Sequence, residues 1–83
     1  MHKTHPDIIP RLKRAAGHLK SVIAMIEEGK PCVDLAQQLH AVEQAVAKAK
    51  KALIHDHIEH CLEGSKADTR TALRDLKQLA KYL

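Results

Sequence analysis

At 83 residues the chain is long enough for one domain, and a lone helical unit of this size buries only a marginal core, so we expect several copies to assemble. Tyr82 is its one aromatic residue, which leaves Leu, Ile, Val and Ala to fill the helix interfaces. The 14 Lys and Arg residues against 10 Asp and Glu residues favour a polyanionic partner, although a basic surface that merely keeps the protein soluble would show the same charge.

The sequence contains neither an apolar run of membrane length nor a secretory signal pattern. We therefore expect a cytoplasmic location. In that reducing compartment the two cysteines are expected as thiols or thiolates and not as a disulfide.

The first predicted helix runs from about Pro6 to Glu28. Thr4 or His5 precedes Pro6, which suits an early helical position, and Gly29 supplies the left-handed residue that ends the helix. Its apolar residues recur at steps of three and four, which is the period of an amphipathic helix. These residues are Ile8, Ile9, Leu12, Ala15, Ala16, Leu19, Val22, Ile23 and Ile26.

The second predicted helix is long, from about Pro31 to Leu62. Pro31 can open a helix because its missing N–H would have no partner there, and no Gly or Pro then follows until Gly64. An apolar seam with an average spacing of 3.5 residues predicts packing against another helix. The seam consists of Leu35, Leu39, Val42, Val46, Ala49 and Leu53.

The third predicted helix is short and amphipathic, with Ser65 as N-cap and Asp68 three residues on. Its apolar stripe is formed by Ala72, Leu73, Leu76, Leu79, Ala80 and Leu83. Strand signals are absent from the sequence. We therefore predict an all-α fold, a three-helix protomer with an antiparallel hairpin at its centre, and a single domain over residues 1–83.

A cluster of metal-binding side chains lies near the end of the second predicted helix. His57 and Cys61 are four residues apart, on one helix face, and can hold one metal ion between them. The surrounding segment, residues 55–61, carries three imidazoles, one thiol and two carboxylates, a donor set suited to a soft or borderline ion. His60 is a lower-ranked donor because it points about 100° away from Cys61. The alternative is a surface histidine beside a buried cysteine.

Cys32 is the candidate ligand that implies a second copy of the chain. It precedes His57 by 25 residues, which is roughly 37 Å along a continuous helix. Two antiparallel copies of the helix would bring Cys32 of one beside His57 and Cys61 of the other, which makes a dimer the minimum sensing unit. His2 and His5 are further candidate donors, or else incidental histidines of a terminus.

The histidines within the first two predicted helices have no partner at a suitable spacing. His18 and His40 are therefore interpreted as structural or surface residues.

Motifs along nearly the whole chain resemble one known family. They are Arg11-Leu12-Lys13, Gly17-His18-Leu19, Met25 with Glu27 and Gly29, Cys32-Val33-Asp34, Gln38 with Ala41-Val42, and the run from His55 to Cys61. In these residues the chain resembles the copper-, nickel/cobalt- and formaldehyde-sensing repressors of the CsoR/RcnR/FrmR family. The resemblance implies an all-helical dimer of dimers, a homotetramer, that binds double-stranded operator DNA without a helix-turn-helix. It also implies that an inducer at Cys32, His57 and Cys61 releases the DNA.

The resemblance places the family's DNA-contacting basic residues at Arg11, Lys48 and Lys51, with Lys13 and Arg14 nearby. No aromatic or Gly-rich element accompanies them, so we expect phosphate contacts and DNA shape to dominate over base-edge contacts. A solvated basic face is the alternative.

The positions at which this chain differs from each branch of the family indicate which inducer it binds. The chain differs at two positions from the copper branch that it resembles. Lys77 stands where the third helix of that branch has an acidic residue, and Pro31 replaces a tyrosine often found before the first cysteine. The chain resembles the nickel/cobalt branch in having histidines near its N-terminus, although Cys61 stands where that branch usually has histidine. The formaldehyde branch generally lacks the last thiol and exposes an N-terminal proline where this chain has His2. We therefore rank Ni(II) or Co(II) first, Cu(I) second, and formaldehyde or persulfide third.

The sequence leaves one other class of function open and disfavours a second. A metal-buffering protein without a DNA role would share the donor cluster but bind DNA only weakly and without sequence preference. An enzyme is disfavoured, because the sequence shows no Ser/His/Asp arrangement, no Gly-rich phosphate loop and no general base in an apolar setting.

Overall fold

The computed structural model describes residues 7–63 and 69–83, with side chains described at 7–59 and 70–83. Three helices form this part of the chain: α1 (Ile8–Glu27), α2 (Cys32–Glu63) and α3 (Thr69–Ala80). No strand occurs among these residues, so the predicted all-α class is confirmed. The predicted bounds of α1 and α2 are correct to within two residues, whereas the predicted cap of α3, Ser65 to Asp68, lies outside the described residues.

Helix α1 begins at Ile8, two residues later than predicted. Asp7 occupies the N-cap position, but its side chain makes no capping hydrogen bond. Pro10 lies in the first turn, where the missing N–H leaves no helical hydrogen bond unmade. The predicted start at Thr4 to Pro6 falls among residues that the structure does not describe.

The turn after α1 confirms the role predicted for Gly29. This residue has a φ of 76°, which side chains rarely tolerate. Its N–H donates to the carbonyl of Ile26 at 3.0 Å, and the N–H of Lys30 donates to the carbonyl of Met25 at 3.1 Å. This pair of bonds is a Schellman motif, which satisfies the last carbonyls of the helix and reverses the chain into α2.

The main packing is between α1 and α2, and it repeats every seven residues. The buried core residues are Ile8, Ala15 and Val22 of α1 and Val42, Ala49 and Ile54 of α2. The three core residues of α1 are spaced seven residues apart, and so are Val42 and Ala49 of α2. The interface is therefore built from small and β-branched side chains along the length of a helical hairpin.

The apolar seam predicted along α2 divides into two halves. Val42 and Ala49 are buried in the hairpin, whereas Leu39, Val46 and Leu53 are 43%, 45% and 39% exposed. The hairpin therefore uses only one of the two alternating sets, and the other is an apolar stripe on the opposite side of the seam. Below, the exposed stripe means Leu39, Val46 and Leu53.

Val22 is fully buried in the hairpin and gives a direct measure of this packing. Val22→Ala should lower the free energy of unfolding by about 2 kcal/mol, because the substitution removes two buried methyl groups and leaves a cavity. Val33→Ala is the matched control, since Val33 is 68% exposed and its loss should cost less than about 0.5 kcal/mol. Urea denaturation at one fixed protein concentration measures both, and equal losses would contradict the described core.

Candidate metal site and cationic groove

Cys32 is the first residue of α2 and follows directly on the turn from α1. Its side chain is exposed, so the thiol is available to a ligand from outside the protomer. The predicted position at the start of a long helix is confirmed, and the role of Cys32 as a metal donor stays a prediction.

His57 lies about three quarters of the way along α2, where α3 packs against it. Its side chain is half-buried and lines a cavity between the two helices. The remaining lining residues are Leu53, Ile54, Asp75, Gln78, Leu79 and Tyr82. The sequence prediction missed the polar members from α3. The spacing of three residues between Asp75 and Gln78 places both on one face of α3 and was the available signal, whereas Tyr82 lies in the turn just after the helix.

Helix α2 runs without interruption from Cys32 to Glu63, so the two predicted ends of the site stay far apart. The 25 residue steps from Cys32 to His57 correspond to roughly 37 Å. Among the side chains that the structure describes, no three His, Cys, Asp or Glu groups come together around one point. The other candidate donors, His2, His5, His60 and Cys61, have no described side chains.

Cys32 and His57 nevertheless lie on one face of α2. At 100° per residue, both fall within an arc of about 60° that also contains the exposed stripe. A second helix laid along this stripe would pass both donors. The exposed apolar surface and the separated ligands thus point in the same direction from the helix.

A groove between α1 and α2 collects positive charge. Arg11 and Arg14 of α1 and Lys48 of α2 line it together. Ala15, Ala45 and His18 complete the wall. Both alanines are small, which leaves room above them for a phosphate-sized group.

Three of the five basic residues predicted to contact DNA are therefore brought together, and two are not. Lys13 and Lys51 are exposed but do not line the groove. Along α2, Lys51 lies one turn beyond Lys48, towards His57.

For His18 the structure agrees with the first of the two predicted roles, a structural residue, and shows a partner that the sequence did not indicate. Its Nε2 lies 2.6 Å from Oε1 of Gln38, in a partly buried hydrogen bond between α1 and α2. The two residues are 20 positions apart, so no helical spacing could indicate the pair. For His40 the surface interpretation agrees with the structure: the ring is exposed and its Nδ1 lies 3.8 Å from a carboxylate oxygen of Glu43.

None of the helices, over the residues that the structure describes, has both the length and the apolar character needed to cross a bilayer.

Comparisons with known proteins identify the family. Residues 4–83 match the model of the metal-sensitive transcriptional repressor family, and the chain belongs to this family. The copper-sensing transcriptional repressor CsoR of Mycobacterium ulcerans is 36% identical over 74 residues, which cover 87% of this chain and 63% of that protein. CsoR of Bacillus subtilis is 31% identical over 81 residues, which cover 95% of this chain and 80% of that protein. The chain thus spans less than two thirds of the length of the mycobacterial relative. The family comprises repressors rather than enzymes.

The fold agrees with that of a solved structure. The nickel-responsive transcriptional regulator InrS superimposes with a TM-score of 0.81, covering 100% of this chain and 97% of that chain at 24% identity. At this identity the similarity establishes the fold.

Proposed function

We propose that the chain is a metal-responsive transcriptional repressor, a single domain over residues 1–83 that binds operator DNA and releases it when a metal ion binds between two copies. The unbroken α2 helix is the observation that carries this proposal, because it prevents Cys32 and His57 of one protomer from sharing an ion. Family membership supports the repressor role.

The proposed metal site is shared between antiparallel copies of α2. Packing the exposed stripe of one copy on that of another would bury its apolar side chains and place Cys32 beside the partner copy's His57 and Cys61. Two thiolates and one imidazole suit a three-coordinate soft ion, and His2, His5 or His60 could supply a fourth donor. A twofold axis would create two equivalent sites. Two such dimers would make the tetramer that the family resemblance implies.

The cationic groove supports the DNA role. Arg11, Arg14 and Lys48 converge on a space open to solvent, as phosphate binding requires. Lys13 and Lys51 flank this region and would extend the contact along the duplex backbone. The net charge of +4 per chain multiplies on assembly and would steer the protein towards DNA.

The proposed response couples the two sites through α2. A metal ion would fix the start of one α2 to the end of the partner copy's α2, moving Lys48 and Lys51 relative to the phosphates. A hundredfold loss of DNA affinity requires the metal to favour the released state by about 2.7 kcal/mol.

The donor set supports either Ni(II) or Co(II), with the N-terminal histidines added, or Cu(I) at the three principal ligands. The chain's histidine content favours the first pair, whereas its curated relatives are copper sensors by name. Formaldehyde or persulfide remains the third-ranked inducer.

Competitive titration of the reduced protein tests the proposal. Ni(II), Co(II) and Cu(I) are added separately while thiolate absorption reports binding and a fluorescent DNA segment from upstream of the gene reports release. We expect one metal to bind at the thiolates and displace the DNA at the same stoichiometry. Weak, sequence-independent DNA binding at about 0.15 M salt would instead indicate a metal-buffering protein.

A further inference from the structure

The hydrogen bond between His18 and Gln38 connects the two parts of the molecule on which the proposed function depends. His18 lines the cationic groove, and Gln38 belongs to the second turn of α2. The amide oxygen of Gln38 can only accept, so the ring nitrogen of His18 donates at 2.6 Å. Both side chains are partly buried, which shields this bond from competing water.

Gln38 lies close to the proposed sensor. Six residues separate it from Cys32, which is roughly 9 Å along the axis of α2. Displacement of the first turns of α2 by a ligand at Cys32 would therefore move Gln38 as well. His18 would follow, or the hydrogen bond would break.

The groove is sensitive to such a displacement because its charges come from both helices. Arg11 and Arg14 belong to α1, whereas Lys48 belongs to α2. Their separation is thus set by how the two helices are aligned along their length. A shift of one helix along the other would therefore change the distance between Lys48 and the two arginines and weaken a phosphate contact that uses all three.

The apolar core contributes to this alignment by packing, without directional bonds near the groove. Its central members, Ala15 and Ala49, are small, and contacts between such side chains have no preferred direction. A hydrogen bond between side chains is directional and holds the helices at a defined position. The bond from His18 to Gln38 is placed to do this at the groove itself.

We propose that His18 and Gln38 are positioning residues, through whose hydrogen bond metal binding at Cys32 changes the alignment of the cationic groove. This inference rests on the proposed repressor function. It assigns to the pair the transfer of the signal within one protomer, from the start of α2 to α1.

The test compares DNA affinity with and without metal in single variants of the full chain. The wild-type ratio is expected near one hundred, as above. Gln38→Ala and His18→Ala should each reduce the ratio to below about ten. Gln37→Ala is the matched control, because Gln37 is an exposed neighbour on the same helix and its removal should leave the ratio unchanged.

Two further variants distinguish loss of signal transfer between the helices from loss of the folded structure. The double variant should show the same ratio as either single variant, because both remove one interaction. His18→Gln can still donate to Gln38 and should retain most of the wild-type ratio. Far-ultraviolet circular dichroism and thiolate absorption report whether each variant is helical and binds metal with wild-type affinity off DNA.

The outcomes distinguish failure of this inference from failure of the proposed function on which it rests. If the wild-type protein does not release DNA on adding Ni(II), Co(II) or Cu(I), the proposed function itself is wrong. If it does, and both alanine variants keep the hundredfold ratio, the inference is overturned. Loss of the ratio in His18→Gln with normal helicity and metal binding would also overturn it.

Discussion

Cys32→Ala should abolish the metal response and leave the DNA affinity of the metal-free protein within about twofold of wild type. The expected change is the whole of the hundredfold release, since the thiolate at the start of α2 is one of three principal donors and does not itself line the groove. His57→Ala should have the same effect. Its matched control is His40→Ala, which removes an exposed histidine of the same helix away from the stripe. Fluorescence anisotropy of labelled DNA measures the affinities.

Mixing the two defects tests whether the site is shared between copies. In an antiparallel dimer of one Cys32→Ala chain and one His57→Ala chain, one site carries both substitutions and the other carries neither. Each mixed dimer therefore regains one of its two sites, and after statistical exchange of equal amounts of the two variants we expect about a quarter of the total metal-binding capacity to return. A site contained within one chain would stay defective in every combination, so no recovery would contradict the shared geometry.

Lys48→Ala should weaken DNA binding about tenfold, or about 1.4 kcal/mol, without changing sequence preference. Lys48 lines the groove from α2 and faces both arginines of α1. Removing one phosphate contact should also reduce the slope of log affinity against log salt concentration by about 1 for each copy that contacts DNA.

Lys50→Ala is the control for this second prediction. It removes the same charge from the same helix at an exposed position outside the groove. Affinity should fall less than about twofold, and the salt slope should stay near wild type. Equal losses for the two lysines would indicate that charge alone, and not the groove, holds the DNA.

The sequence predicted the helices well because their ends are marked chemically. Gly29 alone could adopt the left-handed turn, and Pro31 fits the start of the next helix. The continuity of α2 followed from the absence of Gly and Pro over more than 30 residues. These are local signals, readable without knowing what packs where.

The division of the α2 seam could not be predicted in the same way. Val42 and Val46 carry identical side chains one turn apart, yet the first is buried and the second is 45% exposed. Spacing shows that a stripe is apolar but not which neighbouring helix covers each part of it. The same limit hid the pair His18 and Gln38, whose contact depends on the alignment of two helices.

The placement of the basic residues was predicted in part. The resemblance singled out five cations, of which Arg11, Arg14 and Lys48 converge. A sequence gives the face of each residue within its own helix. It does not give which part of that face meets a second helix, and α1 lies beside Lys48 at the groove but not beside Lys51.

The short link between α1 and α2 has a kinetic consequence. Closing residues 28–31 costs little chain entropy, and contacts then spread outward from the turn between segments that are close in sequence. Helical proteins with such local contacts fold within microseconds to milliseconds, whereas a ribosome adds about 5 to 20 residues per second. Each hairpin is therefore expected to form almost as soon as its residues are available, and in the proposed dimer the slow step would be the diffusional encounter of two chains.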